Sequence, residues 1–242
     1  MENNKPDYVY DNVIQIGDAD ASRKFLANVF VWMFVALGIS ALCAYAFANT
    51  SLIYTLVDQT THQLTGLAYI AMFSPLAFVL LISFGLNRIS YPVLSLLFVA
   101  YAAVTGISLS FILLAFTSAS VLGVFVTTSV VFGVMAIAGY TTKTDLTKFG
   151  SILFMFLIGI VVASLVNMFL HSSGLDMLIS YIGVAVFVGL TAYDVQKLKN
   201  IGAGLVYGEA SASKMALMGG LTLYLDFINL FLMLLRLFGR RR

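Results

Sequence analysis

Two aspartates stand inside apolar, membrane-length segments of this chain: Asp194 in GVAVFVGLTAYDVQKLK and Asp226 in LTLYLDFINLFLMLL. Almost all the other acids lie in tails and connecting stretches. A carboxylate at membrane depth costs about 2.5–3.5 kcal/mol on insertion scales, so an intramembrane acid marks a functional site. Two carboxyls brought close together titrate as a coupled pair and can share one proton, which makes a pH switch. Their oxygens also suit a hard cation such as Ca²⁺ better than a transition metal. The chemistry to be expected is therefore proton exchange with transient cation contact at Asp194 and Asp226. No resident cofactor is implied.

The polar neighbours follow a helical spacing. Thr222, Asp226, Asn229, Met233 and Arg236 recur every three or four residues, which puts them on one face of a helix otherwise made of Leu, Phe and Ile. Such a stripe belongs in a bundle interior or a wet cavity. Thr191 lies one turn before Asp194. Tyr193 and Tyr224 sit beside the two acids in sequence and are expected to donate hydrogen bonds, and Asn167 with Ser164 adds polarity from the preceding segment. Asp194 has Lys197 and Lys199 within reach on its own helix, whereas Asp226 has no basic residue within two turns. Arg88, on an earlier segment, is the candidate partner, although taken alone it also reads as a charged anchor at the membrane surface.

The elements that must position these groups are membrane helices. Of the 242 residues, 61% are hydrophobic and 10% charged, against about a quarter charged in a soluble domain. Seven apolar segments are long enough to cross a bilayer: 25–48, 67–87, 92–116, 120–140, 150–170, 177–197 and 217–238. The fold class is an all-α integral membrane protein with seven transmembrane helices in residues 23–242. Residues 1–22, polar and acidic, are expected to form a disordered cytoplasmic tail without a cleavable signal. Gly38, Gly106, Gly133, Gly139, Gly159, Gly183 and Gly189 are read as helix-packing residues.

Basic residues recur at every second connection: Arg23 and Lys24, Arg88, Lys143 and Lys148, then Lys197, Lys199 and Lys214. That alternation puts the N-terminus in the cytoplasm. Seven crossings leave Arg236 and Arg240–Arg242 outside, so the last segment either crosses against the bias or turns back; crossing is the preferred reading. The net charge of +2 makes no case for nucleic acid. Cys43 is the single cysteine, which excludes an internal disulfide, and His62 and His171 read as loop residues.

At these positions the chain resembles a known family. LTLYLDFINLFLMLLRLFG (221–239) resembles the closing motif of the Bax inhibitor-1 family, and GLTAYDVQKLK (189–199) resembles that family's sixth helix. SFGLNRIS, TGISLSF and GYTTKTDLTKFGS match further family segments in order. The resemblance implies seven helices with the last one central. It implies a pH-sensitive calcium leak in the bacterial inner membrane, with Asp194 and Asp226 as a hydrogen-bonded sensor and Arg88 as its latch. The linker IGAGLVYGEASASK between the aspartates is longer than the family's, and an acidic residue that some members carry in the second helix is absent.

Three other functions compete. An intramembrane aspartyl protease would need Gly-x-Gly before its second aspartate, and Asp226 follows Leu223, Tyr224 and Leu225, so the chain is read as no enzyme. A non-transporting regulator of a membrane-anchored quality-control protease, as some relatives are described, would use the N-terminal tail as its handle. A proton-coupled transporter would show internal repeats, and none is visible.

Overall fold

The computed structural model describes residues 11–59, 63–85, 89–204 and 210–242. Seven α-helices carry them: α1 (Asp11–Asn49), α2 (Gly66–Gly85), α3 (Tyr91–Ala115), α4 (Ser118–Thr141), α5 (Thr147–Leu170), α6 (Ser173–Ala203) and α7 (Ala210–Phe238). A short 3₁₀ turn, Ser51–Thr55, follows α1, and the described residues form no β-strand. Six helices, all but α2, contain a stretch long and apolar enough to cross a membrane. In α1 that stretch is Asp20–Asn49. α2 is apolar along its 20 residues and carries Pro75. The chain is a multi-pass membrane protein.

Helix ends fall where capping chemistry allows them. Pro92 opens α3, where a missing N–H breaks no bond. Between α5 and α6 only two residues turn the chain. His171 caps α5 in the left-handed conformation (φ 51°), and the Ser172 hydroxyl accepts from Leu175 N at 3.3 Å to start α6.

Burial ranks the helices. In α7, 61% of the apolar span is buried inside the protein, against 11% in α5. α7 packs on α1, α3, α4 and α6. Phe125 and Phe132 of α4 meet Phe227 edge-on at 5.4 and 5.5 Å, and Tyr101 of α3 meets Tyr224 at 5.7 Å. Helices cross most closely at glycine. A Cβ on Gly106 would lie 2.4 Å from the Ser40 carbonyl oxygen of α1, and one on Gly139 would lie 2.2 Å from that of Ala192 on α6. The small-residue expectation is only half right, however. Gly38, Gly133 and Gly159 face open space with nothing within 4 Å, so they pack against no helix.

The two ends of the bundle are distinct. At one end, the Ser22 hydroxyl, near the start of the apolar stretch of α1, donates to Lys199 O near the end of α6 at 2.8 Å. The Lys199 ammonium there donates to Tyr140 O at the end of α4, also at 2.8 Å. Ser22 is buried and helical, so the ordered helix reaches into the stretch the sequence reading gives to a tail. Residues 1–10 lie outside the described ones. At the other end, the residues after α7 bond to the α3–α4 turn, Thr117 N to Arg240 O and Arg242 N to Ala115 O, each at 3.0 Å. Arg236 pairs with Asp176 at the start of α6 at 3.2 Å. α7 therefore runs from one end of the bundle to the other and does not turn back.

Candidate functional site

Asp194 and Asp226 come together where α6 and α7 pack. Their carboxyl groups lie within hydrogen-bonding reach of one another. Asp194 is half-buried, and Asp226 is 5% exposed. Among the described residues, Asp226 Oδ2 is buried without a hydrogen-bond partner. Two carboxyls can bond to each other only if one keeps its proton, because an ionised carboxylate only accepts. An unpartnered buried oxygen is costly, so this arrangement calls for a further proton, cation or donor.

The pair borders a cleft of about 620 Å³ between α5, α6 and α7. Thr147 and Ser151 of α5, Tyr193 and Lys197 of α6, and Thr222 and Asn229 of α7 supply its polar lining. Gly150 makes room for the Tyr193 ring, since a Cβ there would sit 2.4 Å from the ring edge. A second hollow of about 380 Å³ shares Thr147, Tyr193 and Lys197 with the first and continues toward Asn200 and Ile201. Lys197 is exposed, and its ammonium lies 5.8 Å from the Tyr193 ring centre. The two hollows adjoin and together reach from the α4–α5 turn to the carboxyls, with Lys197 lining both.

Several residues expected at the site do other work. The Tyr224 hydroxyl points to α1 and lies 2.7 Å from Ser40 Oγ. Ser40 donates its own proton to Ala102 O at 2.7 Å, so Tyr224 is the donor of the pair. Asn167 Oδ1 accepts from Ser172 N at 3.0 Å and belongs to the α5–α6 turn. Thr191 is buried and donates to Phe187 O on its own helix at 2.8 Å. Thr222 and Asn229 do line the cleft, each donating back to its own helix, to Met218 O at 3.1 Å and to Leu225 O at 2.8 Å. That leaves their oxygens available as acceptors. Met233 packs on Gly183, and Arg236 is with Asp176 at the far end. The described residues contain no ion pair between Asp194 and Lys197 or Lys199. Lys199 is engaged with Tyr140, at 4.8 Å from its ring centre as well as on its carbonyl. Arg88 and residues 205–209 lie outside the described residues.

Gln196 was not anticipated. It is buried on α6, donates to Thr144 O at 2.8 Å and accepts from Leu146 N at 2.8 Å, fastening the α4–α5 turn beside the cleft. In sequence it looks like one more polar residue at a helix end; only the neighbouring turn gives it a role. In that turn, Asp145 Oδ1 accepts from Thr147 N at 2.9 Å, and hydrogen bonds from Thr147 hold its carboxyl below the usual aspartate range.

A cation would find two carboxylates here and the hydroxyl and amide oxygens of Thr222 and Asn229. The described residues contain no cluster of three or more His, Cys, Asp or Glu. Ca²⁺ takes six to eight oxygens when held tightly, so this donor set fits a passing ion better than a resident one.

Comparison with known proteins gives a consistent picture. The family model "Inhibitor of apoptosis-promoting Bax1" matches residues 22–242. The inner membrane protein YbhL of Escherichia coli K12 is 48% identical over 91% of this chain and 93% of its own length. An uncharacterised protein of Borreliella burgdorferi is 45% identical over the same shares. An uncharacterised membrane protein of Streptococcus pyogenes is 36% identical over 95% of this chain and 98% of its own.

Proposed function

The chain belongs to the Bax inhibitor-1 family, and from that premise we propose that it is a pH-sensitive calcium-leak protein of the bacterial inner membrane. The observation that carries the reading is the buried Asp226 carboxyl beside Asp194, with one oxygen unpartnered, on a cleft that Thr147, Ser151, Thr222 and Asn229 also line. With one proton between them, the two carboxyls hold α6 to α7. Loss of that proton leaves two like charges at a buried site, which repel unless a cation or Arg88 enters. Arg88 is the latch in this scheme: it occupies the carboxylates when the proton leaves and must be displaced before Ca²⁺ can pass. Lys197 is the charged group on α6 that faces the same cleft, and α5 contributes Thr147 and Ser151 without charge.

α7 is the central helix of the scheme, as its burial supports. The N-terminus is cytoplasmic. Arg23, Lys24, Lys143, Lys148, Lys197 and Lys199 support this, since they gather at the end where α1 starts and α4 and α6 finish.

The test is calcium uptake into liposomes that hold the purified protein, across a pH series. Asp194→Asn and Asp226→Asn are expected to change the pH dependence, and Arg88→Ala to raise the leak. If the wild-type protein passes no calcium at any pH, the leak reading falls. A non-transporting regulator of a membrane-anchored protease then becomes the reading to pursue.

A further inference from the structure

α7 has a second working face. Opposite the carboxyl cleft, Phe227, Ile228 and Phe231 form the floor of a groove whose walls are α1 and α4, with Leu109 and Ile112 of α3 joining them at one end. Three hollows run head to tail along it. The first, about 240 Å³, begins at Arg23 and Tyr140. It shares Phe30, Ala136 and Ile137 with the second, about 630 Å³. The second shares Leu37, Ala41, Phe125 and Phe227 with the third, about 370 Å³. The groove is open because Gly38 on one wall and Gly133 on the other carry no side chain into it. Its rim is apolar and exposed: Phe34 is 63% exposed and Ile137 66%.

We propose that this groove binds one anionic phospholipid, with its phosphate at Arg23 and an acyl chain along the apolar floor. Charge complementarity selects this occupant. The lining of the middle hollow is apolar except for Ser129, while Arg23 closes one end with its guanidinium in the open. The partner Arg23 has in the structure, Asp20, is at 3.9 Å and equally exposed, so the guanidinium can turn to a phosphate, which it matches with two parallel N–H donors. A phospholipid answers both the cation at the end and the hydrocarbon floor with one molecule.

The length agrees as well. Arg23 to Gly38 spans about 22 Å of helix at a rise of about 1.5 Å per residue. One leaflet contributes about 15 Å of hydrocarbon beneath a headgroup layer of about 5–7 Å, so a lipid whose phosphate sits at Arg23 reaches about 20–22 Å, into the middle hollow beside Gly38 and Gly133. Basic pockets between transmembrane helices are known to hold lipid headgroups in this way.

Native mass spectrometry of the full chain in detergent tests the proposal. Phosphatidylglycerol and phosphatidylcholine with the same acyl chains are added in equal amounts. The wild-type protein is expected to carry one phosphatidylglycerol about fivefold in preference to phosphatidylcholine, the effect of one basic side chain at a membrane surface. Arg23→Gln should bring the ratio to one. Gly133→Leu and, on the facing wall, Gly38→Leu should each remove the bound lipid. Arg23→Gln changes an exposed side chain, so its result decides even if a leucine variant does not fold. Equal binding of the two lipids by the wild type overturns the proposal, as does a preference that survives Arg23→Gln. A dimer that Gly133→Leu abolishes would give the groove to a second copy of the chain instead.

Discussion

Two glycines on α4 should answer the same substitution in opposite ways. Gly139 meets the backbone of α6: an added Cβ would lie 2.2 Å from Ala192 O and 2.8 Å from Ala192 C and Cα. Ordinary contact begins at 3.4 Å, so the helices must part by about 1 Å, and no side-chain rotation can relieve a clash with backbone. Overpacking of this kind costs about 1–3 kcal/mol. Gly133, six residues earlier, has nothing within 4 Å. Replacing glycine by alanine in a helix gains about 0.5–1 kcal/mol from backbone entropy, and that gain is common to both sites. The difference between Gly133→Ala and Gly139→Ala is therefore the packing cost alone, about 1–3 kcal/mol in favour of Gly133→Ala. Reversible unfolding of the two variants in mixed micelles, followed by circular dichroism, measures it. Ala192 is two residues from Asp194, so a displaced α6 should also alter the pH response in the liposome assay. Equal stability of the two variants, or a more stable Gly139→Ala, would refute the close α4–α6 crossing.

Three further outcomes are expected. Tyr224→Phe should lose about 0.5–1.5 kcal/mol of stability, the worth of one hydrogen bond, and leave the pH response unchanged, because the hydroxyl serves Ser40 and not the carboxyl pair; unfolding midpoints and calcium uptake are the measurements. Lys197→Gln should speed calcium entry by removing a positive charge from the path to Asp194, and the gain should shrink as salt is raised; a rate equal to wild type in dilute buffer would remove Lys197 from the path. Asp145 is held below the usual aspartate range by Thr147, so its contribution to the first turn of α5 is complete above that range and is lost as pH falls through the lowered value. Protection of the Thr147 amide, measured against its intrinsic exchange rate, should hold down to about pH 4 and fall below it, and Asp145→Asn should flatten that dependence.

Much of this was legible in the sequence, and the limits have physical causes. Bilayer thickness fixes the length of an apolar run, so the segments 92–116 and 120–140 fall within two residues of α3 and α4. α6 and α7 run further than their apolar cores, through Lys197–Ala203 and Ala210–Ala216, where the helix leaves lipid and hydropathy no longer reports it. The inward turn of Asp226 followed from the spacing of Thr222 and Asn229, both of which line the cleft with it. The same spacing held the answer for Tyr224: two residues from Asp226, it lies about 200° around the helix, away from the pair. Asn167 and Gln196 could not be sorted in this way. Each is a polar residue near a helix end, and whether it serves a turn or a cleft depends on which neighbour packs against it.

The bond from Tyr224 to Ser40 joins residues 184 apart in the chain. It ties the first helix to the seventh, and the seventh is also the most buried. A ribosome delivers these helices in order, so α1 through α6 enter the membrane while the slot that α7 will occupy is still vacant. Ser40, Tyr101 and the aromatic rings of α4 must wait there for a partner that has not been made. The nascent bundle is thus exposed to misassembly until its seventh helix arrives, and a truncation before Ala210 should be cleared by membrane quality control instead of accumulating as a smaller bundle.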